Sequence, residues 1–266
     1  MLFWAILLFV SGCGQPAAPV LNDAFTSIQS IPPPEGFQRS SLADESFGKW
    51  LRERTLKKEN IVRLYNGIPK ADQSGHYVVL DMTTGDRDLQ QCADAVIRLR
   101  AEYLLAKGRI HEISFLSTSL QSLRFDKWCK GQRFRLKGNR LEAYETGQQL
   151  EANHANLLQW LEFVFMYAGT YSLQKQLKLK PQSESMVPGD VIVEGGFPGH
   201  AMIVMDVCSN DRGQNSFMLA QSYMPAQEMH VVLNPSLDSS PWYQTKVGEP
   251  LNTPDWRFEK MKLYTW

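Results

Sequence analysis

The stretch Pro188-Gly-Asp-Val-Ile-Val-Glu-Gly-Gly-Phe-Pro-Gly-His-Ala-Met-Ile-Val-Met-Asp206 decides the fold. It predicts two apolar strands, at about 190–194 and 200–207, separated by a loop of glycine and proline. A third apolar stretch, at about 216–223, follows a polar turn, so the segment predicts an antiparallel hairpin within a sheet. His200 stands where the second strand begins.

The loop before His200 carries almost no side-chain bulk, since three of its five residues are glycines. It leaves the approach to the imidazole sterically open. An imidazole at a strand start, facing a cleft, is well placed to act as a general base for a thiol. The alternative is a structural histidine whose hydrogen bonds are satisfied in the core.

Gln221 lies on the strand that returns from the turn, within a residue or two of register with His200. We expect its side-chain oxygen to accept a hydrogen bond from Nδ1–H and so to fix the tautomer of the ring. Because register is not fixed by the sequence, the alternatives for this role are Ser222, Tyr223 and Gln227.

The nucleophile that such a histidine would serve is Cys92, in Asp88-Leu-Gln-Gln-Cys-Ala-Asp-Ala-Val96. The pattern predicts a helix over about 89–107, capped by Asp88, and the positive end of a helix favours a thiolate. Gln90 or Gln91, together with the Cys92 amide, is the candidate oxyanion stabiliser. The alternative is a buried core cysteine, because Cys92 also lies on an apolar helical stripe.

The remaining chain completes an α+β architecture. Helical, aromatic-rich sequence over 148–177 is interrupted near Gly169-Thr170, and strands are expected near 76–82 and 112–118. Helices followed by strands predict one α+β domain over 31–266, with an antiparallel sheet of about five strands and the Cys92 helix packed against it.

Composition and cysteine spacing argue against a nucleic-acid partner and a metal site. Lysine plus arginine equals aspartate plus glutamate at 28 each, so nothing indicates a nucleic-acid partner. Hydrophobic residues make up 43% of the chain, which is typical of a folded domain. Besides Cys13, the cysteines are Cys92, Cys129 and Cys208, and no two have metal-ligand spacing. We therefore expect no metal site and no cofactor.

The first 13 residues predict export. The apolar run 2–10 is too short to span a membrane and has the length of a signal-peptide core. Val-Ser-Gly-Cys13 resembles the bacterial lipobox, which implies lipidation of Cys13, residues 14–30 as a tether, and a lipid membrane as partner. The resemblance implies a cell-envelope lipoprotein. Since Gly14 is not aspartate, the outer membrane is favoured over the inner one.

Two further resemblances involve the domain. Pro-Gly-Asp190, the glycine loop and Gly-His200 resemble the histidine half of papain-like cell-wall peptidases of the NlpC and CHAP type. That resemblance implies a papain-like fold with Cys92, His200 and Gln221 as catalytic residues and 148–177 as a helical insertion. The chain is also similar, over nearly all of 31–266, to a family of uncharacterised bacterial lipoproteins best known from Bacteroidetes. Matching stretches are Asp88-Leu-Gln-Gln-Cys-Ala-Asp-Ala, Arg98-Leu-Arg-Ala-Glu-Tyr103, Gly199-His-Ala and Leu219-Ala-Gln-Ser-Tyr-Met-Pro-Ala-Gln227.

Three functional hypotheses follow. The first is a thiol hydrolase, a cysteine peptidase or amidase, for which the envelope location suggests peptidoglycan peptides as substrate. The second is a non-catalytic binding module on the same fold. The third is a transglutaminase-like acyltransferase, which shares the order of cysteine and histidine but ordinarily ends in aspartate.

Overall fold

A computed structural model describes residues 21–266. The predicted signal peptide, Cys13 and the first part of the predicted tether lie outside the described residues. Residues 21–30 pack on the domain, since Ile28 is fully buried in the core and Ser27 forms a β-bridge with Thr55. The folded domain therefore begins before residue 31.

From residue 21 onward, the chain combines five α-helices with a large antiparallel sheet, which confirms the predicted α+β class. The helices are α1 (Phe47–Arg52), α2 (Cys92–Ala106), α3 (Phe125–Cys129), α4 (His154–Phe165) and α5 (Thr170–Gln176). The strands are β1 (Phe37–Arg39), β2 (His76–Val79), β3 (Ser114–Leu116), β4 (Ser122–Arg124), β5 (Gln132–Lys137), β6 (Arg140–Glu145), β7 (Lys178–Leu179), β8 (Val191–Glu194), β9 (His200–Asn210), β10 (Asn215–Gln221), β11 (His230–Val232), β12 (Trp242–Tyr243), β13 (Leu251–Asn252), β14 (Arg257–Phe258) and β15 (Leu263–Thr265).

The main sheet has nine strands, not about five. Its order is β2-β11-β10-β9-β8-β15-β7, with β1 joined to β9 and β12 joined to β10. All of these pairs are antiparallel. The strands of this sheet that the sequence does not predict are two or three residues long, too short for a period-2 pattern to show: β1, β7, β11, β12 and β15. The strand expected near 112–118 is β3, which pairs with β4 outside this sheet.

Strand β9 is the centre of the domain and is covered on both faces. Ala201, Ile203 and Met205 belong to the core that also holds the helices, whereas Met202 and Val204 belong to a second core around β13 and β14. Burial on both sides explains why this strand is an uninterrupted apolar run and does not alternate.

Helix α2 begins at Cys92 itself, three residues later than the sequence predicts. Its N-cap residue is Gln91, whose backbone N–H donates to Oδ2 of Asp94 in the first turn at 3.1 Å. Asp88, the expected cap, accepts the N–H of Ala226 instead, at 2.6 Å. The nucleophile candidate is thus the first helical residue, and its helix start is tied to the loop after β10. The predicted break near Gly169 is present, because α4 and α5 are separate helices.

Candidate functional site

The glycine loop that precedes His200 is fixed against α5. Strand pairing sets Glu194 opposite His200, and the loop 195–199 closes this hairpin. The Thr170 hydroxyl donates to the carbonyl of Gly196 at 3.2 Å. A Cβ at Gly199 would lie 2.5 Å from Thr170 Oγ1 and 2.6 Å from the carbonyl oxygen of Glu194. Only glycine fits this close approach, so the bare loop positions the histidine.

The ring of His200 is held by Gln221, whose Oε1 lies 2.7 Å from Nε2. The amide of Gln221 is itself oriented, because its Nε2 donates to Asp255 Oδ2 at 2.7 Å. His230 supports the same orientation: its Nδ1 lies 2.8 Å from the carbonyl of Glu228, and its Nε2 is 3.5 Å from the Gln221 amide nitrogen. Gln221 therefore presents an acceptor to His200, and Nε2 carries the proton.

The ring nitrogen of His200 that contacts Gln221 is not the one expected from the sequence. The expected donor is Nδ1–H, whereas in the structure Nε2 lies next to the Gln221 oxygen. With the proton on Nε2, Nδ1 is left as the basic nitrogen. Nδ1 is buried and has no hydrogen-bond partner within residues 21–266. The free nitrogen is thus the one available to accept a proton.

The His200 side chain is buried and packed among aromatic rings. The rings of Tyr223, Trp256 and Phe258 lie 5.2, 5.4 and 5.9 Å from its ring centroid. Burial lowers the pKa of His200 to about 4, and the hydrogen bond to Gln221 opposes that shift. The imidazole is consequently neutral at pH 7, the form that a general base requires.

Cys92 lies at the same end of the sheet as His200. The backbone amide of Ala201, the residue next to His200, is close enough to the Cys92 thiol to lower its pKa. Within residues 21–266, no hydrogen bond joins the thiol to Nδ1 of His200. The residue is 7% exposed. Burial raises the pKa of the Cys92 thiol to about 11, and the nearby Asp94 carboxyl adds to the shift. Desolvation thus outweighs the helix-start effect that the sequence suggests, and the resting thiol is neutral.

The two oxyanion candidates, Gln90 and Gln91, have different surroundings at the start of α2. Gln90 is buried, and its Oε1 accepts from Arg98 at 2.6 Å, while its Nε2 has no partner in the described chain. Gln91 borders the cleft beside Cys92, and its amide donates to Asp88 at 3.2 Å. Of the two side chains, Gln91 is the one placed at the surface where a substrate would lie.

Asp94, two residues after the candidate nucleophile, is also buried. Burial raises the pKa of its carboxyl to about 8, against the lowering effect of the Gln91 N–H. A carboxyl that is largely protonated at pH 7 places little negative charge beside the thiol. This protonation removes part of the repulsion that would oppose a thiolate at Cys92.

A cleft of about 700 Å³ opens over the thiol. Residues from the start of α2, the α4–α5 junction, the glycine loop and the loop after β10 form its walls. The lining of the cleft includes Asp88, Cys92, Asp94, Tyr171, Phe197 and Met224. His200 lies behind this surface, fully buried, so a substrate would meet the sulfur first.

The alternatives to Gln221 have other contacts. Ser222 Oγ lies 2.9 Å from the carbonyl of Gln90 and 2.7 Å from that of Gln227, and it ties the two loops together. The Tyr223 hydroxyl donates to the carbonyl of Asp255 at 3.2 Å. Gln227 donates from its amide to Pro225 at 3.3 Å. Tyr223 packs against the His200 ring, and Gln221 is the one of these residues that forms a hydrogen bond with it.

The remaining cysteines and histidines have structural surroundings. Cys92, Cys129 and Cys208 are all free thiols. His76, His111 and His154 have no partner that the sequence identifies, yet each ring lies close to a polar group: the carbonyl of Asn60, Asp126 and Glu102, respectively. Within residues 21–266, no three histidine, cysteine or acidic side chains form a group that could hold a metal ion.

Sequence reasoning missed the residues behind Gln221. Lys70 lies 3.0 Å from Asp255 Oδ1, so His200, Gln221, Asp255 and Lys70 form one polar chain. The sequence signal for Asp255 was only a turn, Thr253-Pro-Asp-Trp256, and 185 residues separate Lys70 from Asp255. No local pattern connects groups so distant in the chain.

The family model described as "Domain of unknown function (4846)" matches residues 28–265. The chain belongs to this family, which confirms the expectation of an uncharacterised family. No curated protein matches the chain, and no solved structure does. In the part of the chain from residue 21 onward, no helix is both long and apolar enough to cross a bilayer.

Proposed function

We propose that this protein is a papain-like thiol hydrolase of the cell envelope, with Cys92 as nucleophile, His200 as base and Gln221 as the residue that orients the base. The observation that carries the proposal is the buried, unpartnered Nδ1 of His200, left basic by the contact between Nε2 and Gln221. Cys92 supports the proposal as the nucleophile, because its thiol lies near the Ala201 amide next to this histidine and borders a cleft.

The chemistry begins with both groups neutral. As the Cys92 sulfur attacks a carbonyl carbon, the thiol proton passes to Nδ1 of His200. The resulting imidazolium gives that proton to the leaving amine as the carbon–nitrogen bond breaks, which leaves a thioester on Cys92. Water then attacks the thioester, His200 takes a proton from it, and the acid departs while the thiol regains its hydrogen.

Gln221 and Asp255 have positioning roles in this scheme. The Gln221 oxygen holds the Nε2 proton, and Asp255 prevents the amide from rotating to present its nitrogen instead. The proposed oxyanion donors are the Gln91 side chain, which borders the cleft beside Cys92, and the amides at the start of α2. Peptidoglycan peptides are the proposed natural substrate, on the basis of the proposed location alone.

A covalent acyl-enzyme tests the proposal. We expect p-nitrophenyl acetate to release a burst of nitrophenol and to leave an acetyl group on Cys92, detected by mass spectrometry of the peptide. Cys92→Ala should abolish the burst. Cys129→Ala is the matched control, because Cys129 is another buried free thiol outside the cleft, and this variant should retain the burst. Acetylation confined to lysines or absent altogether would refute the proposal.

One observation favours the alternative of a non-catalytic binding module. Cys92 is nearly buried and its pKa is raised to about 11, properties that also suit an inert core thiol. A transglutaminase-like reaction differs only in the acceptor, an amine in place of water. Acyl transfer to Cys92 therefore separates both enzymes from the binding module, and addition of a primary amine to the acyl-enzyme separates the two enzymes.

The proposed location rests on the lipobox-like sequence before Cys13, which lies outside the described residues. Metabolic labelling with palmitate tests it. The wild-type protein should incorporate label and fractionate with outer membranes, whereas Cys13→Ala should do neither. Complete membrane retention of unlabelled Cys13→Ala would contradict the lipoprotein assignment.

A further inference from the structure

The cleft over Cys92 carries an unusual concentration of exposed apolar side chains. Phe197 is fully exposed on the loop before His200, and Tyr171 and Met224 are exposed on neighbouring segments. All three border the same cleft. A phenyl ring that lies in water on a loop fixed by Thr170 gains nothing from the fold, so its position indicates a binding surface.

The ionisable side chains that line the cleft are acidic and not basic, apart from the Cys92 thiol and the Tyr171 hydroxyl. Among the described residues, no lysine, arginine or histidine borders it. Its acidic residues are Asp88 and Asp94, and Asp88 is engaged by the Ala226 N–H and the Gln91 amide. The lining itself offers a carboxylate or phosphate no cation to pair with, so such a group would lose hydration there without a partner. Lys175 lies outside the lining, with its Nζ 5.6 Å from the centre of the Tyr171 ring.

We infer that the substrate of this site carries an uncharged, apolar chain on the acyl side of the bond attacked by Cys92, seated against Phe197 and Tyr171. This inference rests on the proposed thiol hydrolase function. It adds a selection rule to that function: an acyl donor with an aliphatic or aromatic chain is accepted, and one with an anionic end in the same place is rejected.

The arrangement of the loop explains how the rule would operate. Cys92 and Phe197 line the same cleft, and Phe197 precedes His200 by three residues on the β8–β9 hairpin. In the proposed mode, the apolar chain covers Phe197 and its carbonyl group reaches the sulfur. When the chain covers the Phe197 ring, apolar area of both is removed from water. This burial stabilises the bound ester and the acylation transition state relative to the free ester.

Two matched esters test the inference. p-Nitrophenyl hexanoate and the mono-p-nitrophenyl ester of adipic acid have acyl chains of the same length, one ending in methyl and the other in carboxylate. Each would transfer its acyl group to the Cys92 sulfur, with p-nitrophenolate as leaving group and the thiol proton released through His200. Rates are divided by those of glutathione with the same ester. We expect the normalised rate to be roughly tenfold or more higher for hexanoate, because the carboxylate would be desolvated without a partner.

Variants connect the preference to the cleft. Phe197→Ala and Tyr171→Ala should each reduce the preference for the hexanoate ester several-fold. Leu237→Ala, an exposed apolar residue elsewhere, should leave the preference unchanged. Equal normalised rates for the two esters, with Cys92 acylated by both, would overturn this inference and leave the thiol hydrolase proposal standing. Failure of every ester to acylate Cys92 would overturn both.

Discussion

The side-chain oxygen of Gln221 lies 2.7 Å from Nε2 of His200, and this contact determines which imidazole nitrogen can act as a base. An amide can rotate by half a turn and exchange its oxygen for its nitrogen. Asp255 prevents that rotation by accepting from the amide nitrogen at 2.7 Å, and Lys70 holds the carboxylate in place. The tautomer of His200 is therefore set by the charges of Asp255 and Lys70, outside the proposed catalytic pair.

Replacing Asp255 by asparagine should reverse the tautomer. Lys70 contacts both carboxylate oxygens and would retain the amide oxygen of the asparagine, so an NH₂ group would face Gln221. Gln221 would rotate and present its own nitrogen to His200, and the ring proton would move to Nδ1. We expect acylation of Cys92 in Asp255→Asn to fall toward the rate of His200→Ala, with exchanged ¹⁵N shifts for the His200 nitrogens.

A second substitution provides the control for that experiment. Lys70→Met in the Asp255→Asn background frees the asparagine to turn its oxygen toward Gln221, which should restore much of the acylation rate and the original ¹⁵N pattern. If Asp255→Asn retains the wild-type ¹⁵N pattern and rate, then Asp255 does not position Gln221 and is a structural residue only.

The pH dependence of Cys92 alkylation should reveal a neutral resting pair. The thiolate is the reactive form, and burial raises the thiol pKa to about 11, so reactivity is low at neutral pH and rises as pH approaches that value. Between pH 7 and 10, the iodoacetamide rate should increase about tenfold per pH unit, whereas glutathione levels off near pH 9. A rate that is constant from pH 6 to 9 would indicate a resting thiolate–imidazolium pair and contradict this assignment.

Gly199→Ala should disrupt the histidine loop. The added methyl carbon would lie 2.5 to 2.7 Å from three oxygen atoms, two of them in the backbone, so the loop must move. We expect a loss of about 1–3 kcal/mol in the free energy of unfolding by urea, together with a large loss of Cys92 acylation. The matched control is Gly169→Ala, because a Cβ there has no atom within 4 Å. Equal stability of the two variants would show that the loop is not fixed as described.

Much of the site could be predicted because its signals are local. Each of these signals occupies a short stretch of sequence. They are the residues that begin the helix near Cys92, the glycine loop before His200 and the polar turn before β10. The turn also brought Gln221 close to register with His200, although a bulge between Met218 and Leu219 shifts the pairing. The sequence could not fix which side chain met the ring, since a one-residue shift exchanges the faces of a strand.

The parts that the sequence did not predict depend on distant contacts. Asp255 and Lys70 reach Gln221 only through the tertiary fold, and the short edge strands are created by pairing with longer ones. The pKa of Cys92 is another case: its helix start is visible in the sequence, but its burial beneath the cleft is not. In this position, burial outweighs the helix dipole, whose effect is confined to about the first turn.

The most direct test of the central claim is the rate of Cys92 acylation by p-nitrophenyl acetate in His200→Ala, measured without and with added imidazole. If His200 removes the thiol proton, the variant should acylate Cys92 roughly 10²- to 10⁴-fold more slowly than wild type, and imidazole that enters the vacated space should restore part of the rate. Gln176→Ala, a change on α5 outside the cleft lining, serves as the control and should retain the wild-type rate. An unchanged rate in a folded His200→Ala protein would contradict the proposal.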